Sequence, residues 1–506
     1  MIRFGVLVIL LLLGEAKAEQ SPAGRFDPQL ITAVYTEALS FMAPRILEPV
    51  PVSKMTIWGL RGLTALDPDL TTMANDRLLV LMRRGRIVHE TDLPRGDTLR
   101  DWVAAAVNLA AAGYDLSAAV RRAGTQGIIQ AFFDELFNHL DPYSRYAAPA
   151  EAGEDRARRS GRAGIGLTVG RRDGQTVAQT IIGEGPAAVA GIREGDLILA
   201  VNGQPTRGQD LSTVAAMMGG VEGTPLTLTW RGHDGRTHTM QLTRMLVPPE
   251  TVFSHRSGDV LTIRVTGFST TTDLHLSHAV QDAMAATRVP SGIVLDLRGN
   301  RGGLVRQAVM TADILLPAGI VAIAAGRAPE SNHIWRSTDG EQAEGFPLVV
   351  IVDGRTASAA EILAGALADR GRAVVVGSST LGKGLVQTID PMPDGGELFV
   401  TWSRVLAPRG WPIQGLGVFP QVCTSLGRSA LDRQLAELAS GVQPMAQAVA
   451  LHRAMRAPLP PAQIQAIRKA CPAAEGGDSD TEAARMLVNN PAAYAAALLP
   501  PMRDMP

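Results

Sequence analysis

Cysteine is nearly absent: Cys423 and Cys471 are the only two in 506 residues. Two thiols at that spacing offer neither a metal-binding cluster nor a paired cysteine nucleophile, so no metal and no cofactor are expected. An excess of basic charge is missing too. Lys and Arg total 48 against 49 Asp and Glu, a net charge of −1, which argues against a broadly basic nucleic-acid surface. There is no long apolar run beyond the first residues, hence no later transmembrane anchor, and no internal repeat of about 20–50 residues. With 46% hydrophobic and 19% charged residues, the chain is neither disordered nor fibrous and can fill the cores of two to four domains.

What stands at the N-terminus is Arg3, an apolar run from Phe4 to Leu13, and then Gly14-Glu15-Ala16-Lys17-Ala18, whose small-x-small ending suits a signal peptidase. The run falls short of the roughly 20 apolar residues of a membrane span. Residues 1–18 are therefore expected to be a signal peptide cleaved after Ala18, placing the protein in the periplasm or outside the cell. Cleavage removes Arg3, Lys17 and Glu15, leaving 46 basic and 48 acidic residues and a charge of about −2. An oxidising compartment would let Cys423 and Cys471 pair; two buried free thiols are the alternative.

The hydrophobic pattern changes along the chain. Residues 26–150 read as a helical domain, with three-and-four spacing in Leu30, Ile31, Val34, Tyr35 and Leu39 and again from Ile128 to Phe137. Residues 149–162, rich in Ala, Glu and Arg, read as a solvated connector. Short strands with Gly and Asp turns fill 163–245, with helical pieces near 186–190 and 211–218, which predicts a small, partly open β-barrel. From 250 to 422 strands and helices alternate, implying an α/β layer with a largely parallel sheet. The extension 425–506 is Ala-rich and helical in places, with no chemistry evident. The fold class expected is thus multidomain α+β.

Candidate chemistry gathers in the α/β layer. Ser358 follows the apolar run 348–352 and opens a helix, where its hydroxyl could sit at the sheet edge with helix N-terminal amides nearby. An ordinary N-cap serine is the bland reading. Lys383 lies between Gly382 and Gly384 among small and apolar neighbours; burial there would disfavour its ammonium form and let it accept a proton from a serine. Gln387 would share its side of a strand or helix and could orient the amine. Upstream, Gly302-Gly303 follows another apolar strand and allows close backbone approach, so that its amide could join that of Ala359 around an oxyanion.

These blocks resemble the carboxyl-terminal processing peptidases, tail-specific serine proteases that use a Ser-Lys dyad. The resemblance rests on Ser358 three residues before Glu361-Ile362, on Gly382-Lys383-Gly384 25 residues after the serine, on Val386-Gln387, and on Leu295 to Leu304. Leu140 to Tyr146 and Arg409 to Gly415 add weaker support, so that it covers roughly residues 26–422. It implies a core of the ClpP/crotonase-like type, a third catalytic member at Gln387, and an acidic position at Asp369 that either supports the site or is a surface helix residue. Gly164-Ile165-Gly166-Leu167, with Gly195-Asp196 and Asn202-Gly203, looks like the carboxylate-binding loop and turns of a PDZ domain, which grips peptide C-termini as an added strand. Implied partners are polypeptides with free C-termini, and assembly into a homo-oligomer is left open. Two departures stand out: Arg301 where the family often has proline, and Thr356 and Ala360 where it often has serines. Rival readings are a Ser-His enzyme using His275 or His278, a crotonase-like acyl-CoA enzyme, and a catalytically silent PDZ tail adaptor.

Overall fold

The computed structural model describes residues 24–502 except 184 and 339. The signal-peptide reading of residues 1–18 lies outside the described residues. The chain divides into two compact units, one made of 1–149 with 389–400, the other of 150–388 with 401–506.

In the first unit the helices Pro28–Arg45, Leu99–Leu116 and Ala118–Phe137 enclose an aromatic core in which Tyr35 stacks on Phe132 with centroids 4.0 Å apart. Asp27 starts the first helix, its Oδ1 accepting from the amides of Gln29 and Leu30 at 3.1 and 3.0 Å. The helical reading of 26–150 needs correction here. Leu70–Ala74, Leu78–Arg83 and Arg86–Asp92 form a three-stranded antiparallel sheet. Arg83 pairs with Arg86 across a two-residue loop, and Arg84 and Gly85 both take positive φ, 50° and 77°. That is the turn whose twist matches a tight hairpin, and it is specified by local backbone chemistry that a helix-period scan does not see. Residues 389–400 join this unit by pairing Glu397–Phe399 with the strand Arg145–Ala147.

The stretch read as a solvated connector takes the form of a helix, Pro149–Ser160, in which only Ala152 and Asp155 are buried. Arg162–Gly164 then pairs antiparallel with Met245–Val247, so entry to and exit from the β-rich lobe run side by side. The lobe is a sheet in the order Thr237–Thr243, Pro225–Arg231, Leu197–Val201, Gln175–Ile181, Leu167–Arg172, with helices Pro186–Val189 and Leu211–Met218. Leu167–Arg172 ends the order, and among the described residues one edge of that strand has no strand neighbour.

The core sheet runs Val252–Ser257, Val260–Val265, Gly292–Asp296, Leu348–Val352, Val374–Gly377, Val422–Cys423, and every pair after the first is parallel. Alternate residues face opposite ways. Leu295, Leu348, Val350 and Val375 pack with the helices Thr272–Ala285, Val305–Leu315 and Ala359–Asp369. Val294, Val349, Ile351 and Val376 pack under Leu431, Leu435, Ala484 and Leu487. The second set belongs to helices Arg428–Ala439 and Asp478–Val488, so the stretch read as an extension supplies one of the two layers that bury the sheet. Cys423, in the last strand, is disulfide-bonded to Cys471. Among the described residues, no helix is long and apolar enough to cross a membrane.

Candidate active site

Parallel strands direct their carboxyl ends to one edge, where the connecting loops gather. Three of these loops are tied together here. Ala357 N donates to Asn300 O at 2.9 Å, Thr356 Oγ1 to Leu297 O at 2.9 Å, and Leu381 N to Thr356 O at 3.0 Å. Residues 297–303, 353–358 and 378–383 therefore form one frame.

Ser358 is the N-cap of Ala359–Asp369 with φ 60° and ψ −121°, a conformation that costs a serine on the order of 1–3 kcal/mol and must be held by its surroundings. It is half-buried, and its N–H donates to Glu361 Oε2 at 2.8 Å. Lys383 N donates to the same oxygen, also at 2.8 Å. The backbone nitrogens of Ser358 and Lys383 thus lie no more than twice 2.8 Å, or 5.6 Å, apart. Lys383 is likewise half-buried. The glycine beside it is required by close approach: a Cβ on Gly384 would fall 2.2 Å from Gln414 N, whose own side-chain Oε1 accepts from Gly384 N at 2.9 Å.

Gly302 abuts the serine. At φ 96°, a Cβ there would meet Ser358 Cβ at 2.8 Å and Ala359 N at 3.0 Å. Its N–H, however, donates to Asn300 Oδ1 at 2.8 Å, so of the amides singled out in the sequence it is already engaged. Gly303 follows at φ 142° in an isolated bridge with Phe268. Gln387, on the strand Leu385–Pro391, donates from Nε2 to Thr401 Oγ1 at 3.1 Å and to Leu385 O at 3.2 Å. Asp369 closes the helix that Ser358 opens, and it is buried and not a surface residue. Its Oδ2 accepts from Trp411 Nε1 at 2.7 Å and Arg409 N at 3.2 Å, and its Oδ1 from Arg453 Nε at 3.2 Å. Burial pushes its pKa up and Arg453 opposes that shift. His275 and His278 line a different cavity, of about 310 Å³, with Glu250 and Asp282. Among the described residues no His, Cys, Asp and Glu cluster could hold a metal.

Gly164, Ile165, Gly166 and Leu167 line a cavity of about 500 Å³ together with Ala215 and Met218 of the helix Leu211–Met218. Ile165 O accepts from Ala187 N at 2.8 Å and Gly166 O from Ile182 N at 2.9 Å, which fixes the loop's shape. The groove runs between that helix and the sheet-edge strand.

Sequence reasoning passed over Glu361 as a functional group, and two signals could have found it. It is a lone acid in the run Ala359-Ala360-Glu361-Ile362-Leu363-Ala364, and every residue of its helix is buried. A second missed signal concerns the base. Lysine occurs at only four positions, 17, 54, 383 and 469, while arginine supplies the other 44 basic residues. Arginine cannot give up its proton, so a lysine kept in such a chain at a half-buried glycine turn is chemically informative.

A serine at a strand-to-helix turn of an α/β layer, stitched to a lysine loop and accompanied by a peptide-groove lobe, defines a class of peptidase. The peptidase family S41 model matches residues 259–424 and a PDZ domain model matches residues 180–232. The carboxy-terminal-processing protease of Bartonella bacilliformis is 33% identical over 304 residues, 59% of this chain and 69% of that protein. The carboxy-terminal processing protease CtpA of Bacillus subtilis is 32% identical over 288 residues, 56% of this chain and 61% of that one. Among solved structures, the photosystem II D1 C-terminal processing protease aligns over 60% of this chain and 86% of its own, at 28% identity and a TM-score of 0.35. The chain belongs to peptidase family S41, the carboxy-terminal processing serine proteases with a PDZ domain.

Proposed function

We propose that the protein is an exported serine endopeptidase that takes polypeptides by their C-terminal tails and cleaves them through an acyl-enzyme. The observation that carries this reading is the shared oxygen of Glu361, which sets the backbones of Ser358 and Lys383 side by side. Neutral Lys383 accepts the Ser358 proton as Oγ attacks the peptide carbonyl carbon. The tetrahedral oxyanion is met by the amides of Gly303 and Ala359, with Gly302 shaping the wall. As the C–N bond breaks, the lysine ammonium returns its proton to the leaving amine. Water, deprotonated by the Lys383 amine, then attacks the acyl carbon, and as the bond to Ser358 Oγ breaks the lysine returns that proton to the serine and the acyl group leaves as a carboxylic acid. Gln387 supports the lysine from the neighbouring strand, and no cofactor is needed.

Recruitment falls to the groove at Gly164–Leu167. A tail entering there finds loop amides for its terminal carboxylate and the open edge of Leu167–Arg172 for its main chain. Export would be directed by residues 1–18, with cleavage after Ala18 following it. The deciding experiment incubates an unfolded, tail-tagged substrate with wild type, Ser358→Ala, Lys383→Ala and a form lacking the PDZ lobe. Loss of cleavage in both point variants, with weaker binding only in the lobe deletion, is expected. Wild-type turnover by Ser358→Ala would remove the proposal and leave a tail adaptor in its place.

A further inference from the structure

The nucleophile and the base are 25 residues apart in sequence, and one buried side chain spans that gap. Glu361 is fully buried, yet its carboxylate receives four donors. Oε2 takes Ser358 N and Lys383 N; Oε1 takes Gly382 N at 2.6 Å and the Thr380 hydroxyl. Thr380 Oγ1 also accepts from Val418 N at 2.7 Å, so its proton is directed at Glu361. With a proton of its own, the carboxyl would have to aim it at one of these donors. The hydrogen-bond set therefore holds it as a carboxylate, although burial pushes its pKa up. Arg468, on the helix Pro461–Arg468 outside the family match, is the cation that feels this charge.

The two oxygens do different work. Oε1 anchors the approach to the lysine loop, whereas Oε2 alone touches both residues of the proposed dyad. Ser358 needs such a restraint because its φ is positive, and at Lys383 itself Oε2 adds a bond to the tie that Leu381 N already makes to Thr356 O. We propose that Glu361 is a positioning residue for the hydrolytic reaction, its Oε2 fixing the register between the Ser358 turn and the Lys383 loop. This rests on the Ser358–Lys383 reading above.

Glu361→Gln keeps the shape but exchanges one acceptor for an NH₂ group facing N–H donors. Thr380→Val also deletes two buried hydrogen bonds, both on the Oε1 side. Turnover of a tail-tagged unfolded substrate, the rate of Ser358 labelling by a phosphonylating reagent, and the melting temperature are measured for wild type, both variants and Ser358→Ala. Glu361→Gln should lose about 100-fold in kcat, the cost of a misplacement on the order of 1 Å, with KM nearly unchanged and labelling slowed in parallel. Thr380→Val should melt as early as Glu361→Gln while retaining most of its kcat. If Glu361→Gln does not fold, Glu361→Asp, which keeps the charge but is one carbon too short to bridge both amides, carries the same expectation. Wild-type kcat in the folded Glu361 variant, or equal kcat losses in both variants in step with their melting temperatures, overturns the inference while an inert Ser358→Ala leaves the peptidase reading standing. Full turnover by Ser358→Ala overturns both.

Discussion

Asp369 separates a stability role from a chemical one. Its carboxylate is buried at the end of helix Ala359–Asp369, and the partners described for it are Trp411, Arg409 and Arg453. Arg453 is itself buried, with only 7% of its side chain exposed, and one of its nitrogens, Nη2, finds no hydrogen-bond partner. Changing Asp369 to Asn keeps the shape but strips the guanidinium of its counter-charge. An uncompensated buried cation costs about 3–5 kcal/mol, far above the 1 ± 0.5 kcal/mol of a neutral hydrogen bond. The urea midpoint, followed by tryptophan fluorescence because Trp411 loses the same partner, should therefore fall sharply. Active-site titration then gives turnover per folded molecule, which should stay near the wild-type value. The reasoning is refuted if Asp369→Asn unfolds at the wild-type midpoint yet loses about 100-fold or more in kcat, the signature of a group acting in proton transfer.

Two further outcomes follow from groups in the same half of the molecule. His452 is buried with Nε2 2.8 Å from Gly417 O, and burial beside Arg453 holds its pKa well below 6.5. A depressed histidine is neutral when folded and takes up a proton when unfolded, so its contribution is present above pH 6.5 and is lost as pH falls toward the folded value. His452→Gln should therefore flatten the fall in stability below about pH 6.5 that wild type shows in equilibrium denaturation. The Cys423–Cys471 bond closes a loop of 48 residues, for which loop entropy predicts about 4 kcal/mol. A urea titration with and without reductant should show that difference in wild type and none in Cys471→Ser.

How far the fold can be read in the sequence depends on whether the deciding interaction is local. Strand Leu348–Val352 and helix Ala359–Asp369 announce themselves through an apolar run and a helical period, and Ser358 and Lys383 through the residues that flank them. The sheet at 70–92 is hidden because Leu78–Arg83 carries five apolar residues in succession, with no two-residue alternation, and its decisive turn is only Arg84-Gly85. Glu361 is legible as an anomaly, a charge in an apolar helix, but its four donors come from residues 358 to 383 and only the tertiary fold assembles them. The pairing of Asp369 with Arg453 spans 84 positions, and no local pattern predicts it.

The C-terminal region shows the same limit from the other side. Leu-Val-Val-Ile-Val at 348–352 is apolar at every position, and a strand of that kind needs cover on both faces. The helices between strands supply one layer; the second comes from helices Arg428–Ala439 and Asp478–Val488, which no local pattern assigns to the sheet. That region also reaches the site. Ser379 Oγ donates to Cys471 O at 2.6 Å, Gly354 N to Ala474 O at 2.8 Å, and Arg298 Nη1 to Gly477 O at 2.6 Å. Residues 471–477 thus brace each of the three loops that carry Gly302-Gly303, Ser358 and Lys383. A segment with no chemistry of its own holds the chemistry in register, and the disulfide at Cys471 fastens one end of that brace to the last strand of the sheet.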